Sequence, residues 1–160
     1  MMENEIEILL VEDNPDDVEL ALHALHKAHV GNRIHVAHDG VEALDFIFCQ
    51  GPHAGRKPES VPRVVLLDLK LPKVDGFEVL RRIKGDPRTQ SIPVVVLTSS
   101  REQRDVIETY HLGVNSYIVK PVDFERFAHA VQKLGVYWLL VNQPPNGVLS
   151  AQEPVSAAEI

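Results

Sequence analysis

Apolar residues follow two alternating patterns along most of the chain. Five short runs of aliphatic and β-branched residues are separated by longer segments in which apolar residues recur about every 3.6 positions. The runs predict strands over residues 6–11, 34–38, 64–68, 92–97 and 116–119. The longer segments predict helices over residues 15–30, 41–48, 76–84, 101–112 and 124–141. Strands that alternate with helices through short connections indicate an α/β domain with one parallel sheet and helices on both faces.

Polar residues mark where several of these helices begin. Asn14 precedes a proline and is predicted to cap the first helix, while Asp39, Asp75 and Asp123 are predicted to cap the second, third and fifth. Residues 50–62 are rich in glycine, proline and charge and predict a long surface loop. From residue 142 onward the chain is small, polar and proline-containing, so a domain over residues 1–141 and a disordered tail over 142–160 are predicted.

Composition restricts the classes of function. The 160 residues are 44% hydrophobic and 24% charged, as expected for one globular domain. The net charge of -7 argues against binding nucleic acid through its phosphates. The one cysteine, Cys49, excludes an internal disulfide and fits a reducing compartment. The acidic N-terminus does not resemble a signal peptide, and no apolar run reaches the roughly 20 residues of a membrane helix. We therefore expect a cytoplasmic protein.

Functional side chains follow four of the five predicted strands. Glu12 and Asp13 come after the first, Asp68 lies at the end of the third, Thr98 follows the fourth and Lys120 follows the fifth. In a parallel sheet these ends meet at one edge, where ligands bind. One lysine is too little charge for three carboxylates, and a hard divalent cation, Mg²⁺ above all, would offset the rest. Such a set of groups suits phosphoryl transfer.

These motifs, in this order and spacing, resemble the receiver domain of two-component response regulators over residues 6–141. The motif continues with Pro72 and Gly76 after Asp68, Tyr117 in the fifth strand and Pro121 after Lys120. The loop before the third strand, the Gly-Asp-Pro end of the third helix and the long fifth helix also resemble the small stand-alone regulators of bacterial phytochromes. The resemblance implies a flavodoxin-like, doubly wound five-stranded parallel sheet with strand order 2-1-3-4-5 and five helices.

The resemblance also implies roles for the residues at the strand ends. Asp68 would be the phosphoacceptor, and Asp13, Asp68 and the backbone carbonyl of Lys70 would bind Mg²⁺, with Glu12 acting largely through a bound water. Lys120 would pair with the phosphoryl oxygens. Two switch residues complete the set: Thr98 would hydrogen-bond the phosphoryl group, and Tyr117 would move into the space that this shift vacates.

The implied partners are a sensor histidine kinase, with a phytochrome as the candidate, and a downstream protein, with no output domain in the chain. Residues 136–141 are apolar all round, which predicts that the outer face of the fifth helix is covered. A homodimer through the fourth helix, fifth strand and fifth helix would cover it, and so would the chain's own tail. Self-phosphorylation and self-dephosphorylation would be the only chemistry, so the protein is not expected to be an enzyme in the usual sense.

Other interpretations of the same residues stay open at this stage. A Mg²⁺-dependent aspartyl phosphatase also uses a strand-end aspartate, but it usually has a second aspartate two residues later, where this chain has Lys70. A receiver-like adaptor that works without phosphorylation is a further alternative. Thr98 could instead cap the fourth helix, and Tyr117 could belong to the core. The spacing of His23, His26 and His29 suggests a metal site, although a solvated helix face explains it better.

Overall fold

The five predicted strands form one parallel sheet. In a computed structural model of the chain, which describes residues 8–27, 33–57 and 60–120, the sheet has the order β2-β1-β3-β4-β5 and every neighbouring pair is parallel. This confirms the predicted order 2-1-3-4-5. The strands are β1 (Ile8–Val11), β2 (Ile34–Ala37), β3 (Val64–Leu67), β4 (Val94–Thr98) and β5 (Ser116–Val119).

Four α-helices and one short 3-10 helix connect the strands within the described residues. They are α1 (Pro15–Lys27), α2 (Gly40–Ile47), the 3-10 helix Gly51–His53, α3 (Gly76–Gly85) and α4 (Gln103–His111). The predicted fifth helix and tail lie outside the described residues. None of the helices that the structure describes is both long enough and apolar enough to cross a membrane.

Side-chain caps place the starts of three helices where the sequence predicts them. Asn14 accepts hydrogen bonds from the backbone N–H groups of Asp16, at 2.9 Å, and Asp17, at 3.2 Å. Asp39 caps α2 and Asp75 caps α3 in the same way, with distances of 2.8 and 3.0 Å. These bonds satisfy donors that have no partner inside the helix. The loops at the carboxyl edge of the sheet are therefore tied down where they enter the helices.

Two apolar layers cover the two faces of the sheet. Alternate residues of a strand point to opposite faces, so each central strand contributes to both layers. One layer packs against α2 and α3 and contains Leu9, Val11, Val65, Leu67, Val94 and Val96 from the strands. The other packs against α1 and contains Ile8, Leu10, Val64, Leu66, Val95 and Leu97. The central strands are buried on both sides, and polar groups can meet only at their ends.

The described part of the loop after α2, residues 50–57 and 60–62, contains regular structure that the sequence did not predict. It begins with the 3-10 helix Gly51–His53, and the Arg56 guanidinium stacks over the Phe46 ring, 3.6 Å from its centroid. The same guanidinium donates hydrogen bonds to the Phe46 carbonyl and, at 2.5 Å, to the Ser60 carbonyl. A planar cation that both stacks and donates can fix a loop without a strand or a long helix. Arg56 therefore anchors this segment on α2.

Changing Gly40 to Ala is expected to lower the free energy of unfolding by about 3 kcal/mol, at the upper end of the range for overpacked cores. A Cβ atom on this buried residue would lie 1.9 Å from the carbonyl oxygen of Val74, and backbone cannot give way cheaply. Urea denaturation followed by circular dichroism measures the change. The control is Gly55→Ala, because a Cβ there meets nothing within 4 Å. Equal stabilities of the two variants would contradict the prediction.

Candidate functional site

Three carboxylates meet at the carboxyl edge of the sheet. Glu12 and Asp13 directly follow β1, and Asp68 directly follows β3, its neighbour in the sheet, with Val11 and Leu67 in register. The hydrogen-bond ladder continues past the strand, because the Asp68 N–H donates to the Val11 carbonyl at 3.0 Å. One carboxylate oxygen of each acid lies within 4.8 Å of the others. The predicted convergence of Glu12, Asp13 and Asp68 is therefore confirmed.

The acidic group is buried below and open above. Glu12 and Asp68 are only 4% and 8% exposed, while Asp13 is exposed to solvent. Burial raises the pKa of Glu12 to about 7; the hydrogen bond from Lys120 opposes the rise, and the neighbouring Asp68 adds to it. Buried carboxylates this close repel one another, so the group favours a proton or a cation. Its open side, at Asp13, gives an ion or an anionic ligand access.

Lys120 is the positive charge of the site. Its backbone N–H continues the ladder after β5 by donating to the Thr98 carbonyl at 2.7 Å. Its ammonium donates to Glu12, to Oδ2 of Asp17 at 2.9 Å and to Oδ2 of Asp68 at 3.4 Å. Burial alone would lower the pKa of Lys120, but the hydrogen bonds to Glu12 and Asp17 outweigh it and raise that pKa. The lysine therefore stays charged at neutral pH.

The turn after Asp68 packs tightly against the site. The Lys70 N–H donates to Oδ1 of Asp68 at 3.2 Å, while the Lys70 side chain points to solvent. Gly76, the first residue of α3, is buried and donates its N–H to the Leu69 carbonyl at 2.8 Å. A Cβ atom on Gly76 would lie 2.3 Å from the Asp68 carbonyl oxygen. The start of α3 can approach the backbone of the acidic group only because this residue is glycine.

Thr98 and Tyr117 are linked to the same loop, the one between β4 and α4. Thr98 is fully buried, and its hydroxyl oxygen accepts a hydrogen bond from the Ser100 N–H at 3.4 Å. The Tyr117 hydroxyl donates to the Ser100 carbonyl at 3.0 Å. The alternative in which Thr98 caps α4 is wrong, because the N-cap of that helix is Glu102. Tyr117 also packs against the core, as the alternative interpretation of this residue predicts, and its switch role stays a prediction.

Asp17 was not predicted as a site residue, because an acid in the first turn of α1 already has a local explanation in the positive end of the helix dipole. The structure adds a second role, because Asp17 is one of the three carboxylates that accept hydrogen bonds from Lys120. A weak signal was present in the sequence, since Asp17 is an acid only four residues after Asp13. The site thus holds four carboxylates and one lysine, and a divalent cation could offset the remaining negative charge.

The histidines of α1 do not join any such group. His23 and His26 are exposed, and His29 lies outside the described residues. Within the described part of the chain, the clustered acids, histidines and cysteines that could hold a metal are Glu12, Asp13 and Asp68 alone. This agrees with a solvated face for the two described histidines.

Comparison with known proteins identifies the family. Residues 8–132 match the response regulator receiver domain. The probable methanogenesis regulatory protein FilR2 of Methanothrix harundinacea is 45% identical over 138 residues, which are 86% of this chain and 86% of that protein. The response regulator Rcp1 of Synechocystis sp. is 40% identical over 132 residues, 82% of this chain and 88% of that protein.

Solved structures of phytochrome response regulators share the fold, and some relatives hold a metal. The bacteriophytochrome response regulator AtBRR is 55% identical, with a TM-score of 0.71 over 87% of this chain and 99% of that one. The phosphorylated cyanobacterial regulator RcpA and the Mn²⁺-bound form of Rcp1 are both 38% identical, with TM-scores of 0.75 and 0.74, over 88% of this chain and 99% of theirs. The chain belongs to the response regulator receiver domain family, and small phytochrome-associated regulators are among its relatives.

Proposed function

We propose that this receiver domain accepts a phosphoryl group on Asp68 from a sensor histidine kinase and thereby switches its contacts with other proteins. The observation that carries the proposal is the position of Asp68. It is a nearly buried carboxylate at a strand end, grouped with Glu12 and Asp13, with the Lys120 ammonium 3.4 Å from its Oδ2 atom. The phosphorylated state of the related RcpA supports the same chemistry.

The proposed reaction has two covalent steps, the transfer of the phosphoryl group to Asp68 and its later hydrolysis. A carboxylate oxygen of Asp68 attacks the phosphorus of a phosphohistidine, an O–P bond forms, and the N–P bond breaks as the imidazole leaves with its electron pair. Lys120 donates to the phosphoryl oxygens and offsets their charge. Later a water attacks the phosphorus, and Asp68 is released as a carboxylate together with inorganic phosphate. Asp68 is regenerated, and no external metabolite is turned over, which is why we do not class the protein as an enzyme.

The acidic group fits Mg²⁺, which prefers a few carboxylate oxygens and keeps several waters. Asp13, Asp68 and the backbone carbonyl of Lys70 would hold the ion, and Glu12 would reach it through a water. When bound, Mg²⁺ supplies the positive charge that lets an anionic donor approach a carboxylate. The Mn²⁺-bound form of Rcp1 supports a divalent cation in this family, and the hard oxygen donors of this chain suit Mg²⁺.

The loop between β4 and α4 would carry the signal. We place the switch at Thr98 and Tyr117, because both already bond to the backbone of Ser100 in that loop. A phosphoryl oxygen that accepts from the Thr98 hydroxyl would draw the loop toward Asp68, and Tyr117 would follow. The surface formed by α4, β5 and the predicted fifth helix would then change its contacts.

The proposed partners follow from this switch. Upstream we place a sensor histidine kinase, and a bacterial phytochrome is the best candidate because AtBRR and RcpA are phytochrome response regulators. The cytoplasm is where we place this exchange. Downstream, we propose that the chain binds a further protein and also a second copy of itself. The side chains of Ile107 and Tyr110 on α4 are 49% and 52% exposed, which supports a homodimer on this face. Sedimentation velocity at micromolar concentration, with and without phosphorylation, tests the dimer.

Intact-protein mass spectrometry tests the proposed function. The protein is incubated with acetyl phosphate and Mg²⁺, and separately with a phosphorylated phytochrome kinase. We expect a mass gain of one phosphoryl group, lost again on standing and absent when the metal is chelated. Steady turnover of a chromogenic phosphate ester without accumulation of phosphoprotein would instead support the aspartyl phosphatase. No mass gain from either donor would support the phosphorylation-independent adaptor.

A further inference from the structure

The ammonium of Lys120 has no donor to spare. An ammonium group carries three N–H donors, and here three carboxylates accept from it. The bond to Glu12 is the shortest, the bond to Asp17 measures 2.9 Å and the bond to Asp68 measures 3.4 Å. Lys120 therefore lies nearer to Glu12 and Asp17 than to the proposed phosphoacceptor. A phosphoryl oxygen on Asp68 could take over the long bond to Asp68, but it could draw the ammonium closer only if Glu12 or Asp17 yields.

Asp17 differs from the other two acceptors. It does not belong to the acidic group of Glu12, Asp13 and Asp68, so the charge of a metal bound there would not directly replace its bond to the lysine. Its side chain is 34% exposed, whereas the side chains of Glu12 and Asp68 are 5% and 10% exposed. Water can solvate Asp17 once it loses the lysine, but it cannot reach Glu12 as easily. Asp17 is thus the acceptor that can be released at the lowest cost.

We propose that Asp17 is a positioning residue that competes with the phosphoryl group for Lys120 and so slows the phosphorylation of Asp68. The cap of α1 holds it in place, because Asn14 accepts from the Asp17 N–H at 3.2 Å. The proposal rests on the proposed function of Asp68 and adds a regulator of its rate.

The test compares the wild type with Asp17→Asn. The amide keeps the size of the side chain but loses its charge, so it binds the Lys120 ammonium less strongly. Phosphorylation by acetyl phosphate in Mg²⁺ is followed by intact mass over a range of donor concentrations. We expect Asp17→Asn to react about 2- to 5-fold faster, from the strength of a partly exposed ion pair. Asp17→Glu, which restores the charge, is expected to return the rate toward the wild type.

The matched control is Asp16→Asn. Asp16 lies in the same first turn and carries the same charge. Its described hydrogen bond runs from its backbone N–H to the Asn14 side chain, and its carboxylate has no described bond to Lys120. Its replacement removes the same interaction with the helix dipole and is expected to change the rate less than 2-fold. An equal acceleration in Asp16→Asn would mean that general charge, not competition for Lys120, sets the rate, and would overturn the proposal.

A second readout follows the lysine itself. Pulse acylation with acetic anhydride, without donor or metal, should modify Lys120 faster in Asp17→Asn than in the wild type, relative to the exposed Lys73. If the wild type is phosphorylated on Asp68 but Asp17→Asn reacts no faster, or reacts more slowly, the inference fails and the proposed function stands. If the wild type accepts no phosphoryl group at all, the proposed function fails and the competition fails with it.

Discussion

Replacing Asp68 with Asn is expected to abolish phosphorylation by acetyl phosphate and by a kinase. The amide has nearly the shape of the carboxylate but lacks an anionic oxygen that could attack phosphorus. It also removes one ligand of the proposed Mg²⁺ site. Intact mass spectrometry, followed by peptide mapping of borohydride-reduced protein, measures both the extent and the position of the modification. We expect modification at Asp68 in the wild type and none in Asp68→Asn.

Loss of folding does not account for the expected loss of phosphorylation. Asp68 is one of three crowded carboxylates, so its neutralisation relieves repulsion, and Asp68→Asn is expected to be more stable than the wild type in metal-free buffer. The control is Asp75→Asn, because asparagine also caps helices and Asp75 lies on the exposed start of α3. Asp75→Asn should be phosphorylated like the wild type. A phosphoryl group on another residue of Asp68→Asn would refute the assignment.

The sheet could be predicted from the sequence because its strands are buried on both faces. Residues 64–67 and 94–97 are continuous apolar runs, and the structure buries every residue in them. The helix starts could also be predicted, because each capping side chain bonds to a backbone N–H only three residues away. The stack of Arg56 on Phe46 joins residues ten positions apart across an irregular loop. No local pattern encodes such a contact, so the loop was predicted without its anchor.

The candidate site likewise contains residues that the sequence predicts and one that it does not. The convergence of Asp13, Asp68 and Lys120 follows from topology, because parallel strands end at one edge and each residue directly follows its strand. Asp17 lies in a helix and already had a sufficient local explanation, so nothing in the sequence required a second role. Its contact with Lys120 joins residues 103 positions apart. Distances of this kind depend on how α1 packs on the sheet, which periodicity does not determine.

The Lys120→Met variant is expected to lose about 3–5 kcal/mol of unfolding free energy in metal-free buffer, the usual effect of leaving buried charges without their partner. The Lys120 side chain is only 15% exposed and bonds to Glu12, Asp17 and Asp68, whose repulsion would then be uncompensated. Methionine keeps the length of the apolar stem. Urea denaturation measures the loss, and added Mg²⁺ should reverse part of it by binding the folded acidic group.

The control for charge alone is Lys73→Met. Lys73 pairs with Asp39 at 3.3 Å, but its side chain is 65% exposed, so this change should remove less than about 1 kcal/mol. A similar loss in both variants would mean that the buried position of Lys120 does not matter. That result would contradict the view that one lysine holds the crowded carboxylates together.

The loss of unfolding free energy in Lys120→Met should depend on pH, and the pKa of Glu12 determines whether this loss grows or shrinks as the pH rises. The pKa of Glu12 is raised from 4.5 to about 7 in the folded protein, so the folded state binds its proton more readily than the unfolded chain. Glu12 therefore contributes stability that is present below 4.5 and lost as the pH rises through about 7. Lys120 lowers the pKa of Glu12, so in Lys120→Met this pKa is higher still. The stability that Glu12 contributes is then lost over a pH range that extends further above 7, and the total loss is larger. The difference between Lys120→Met and the wild type should thus grow as the pH rises above 7; a constant difference would indicate that Lys120 acts through packing of its stem and not through its charge.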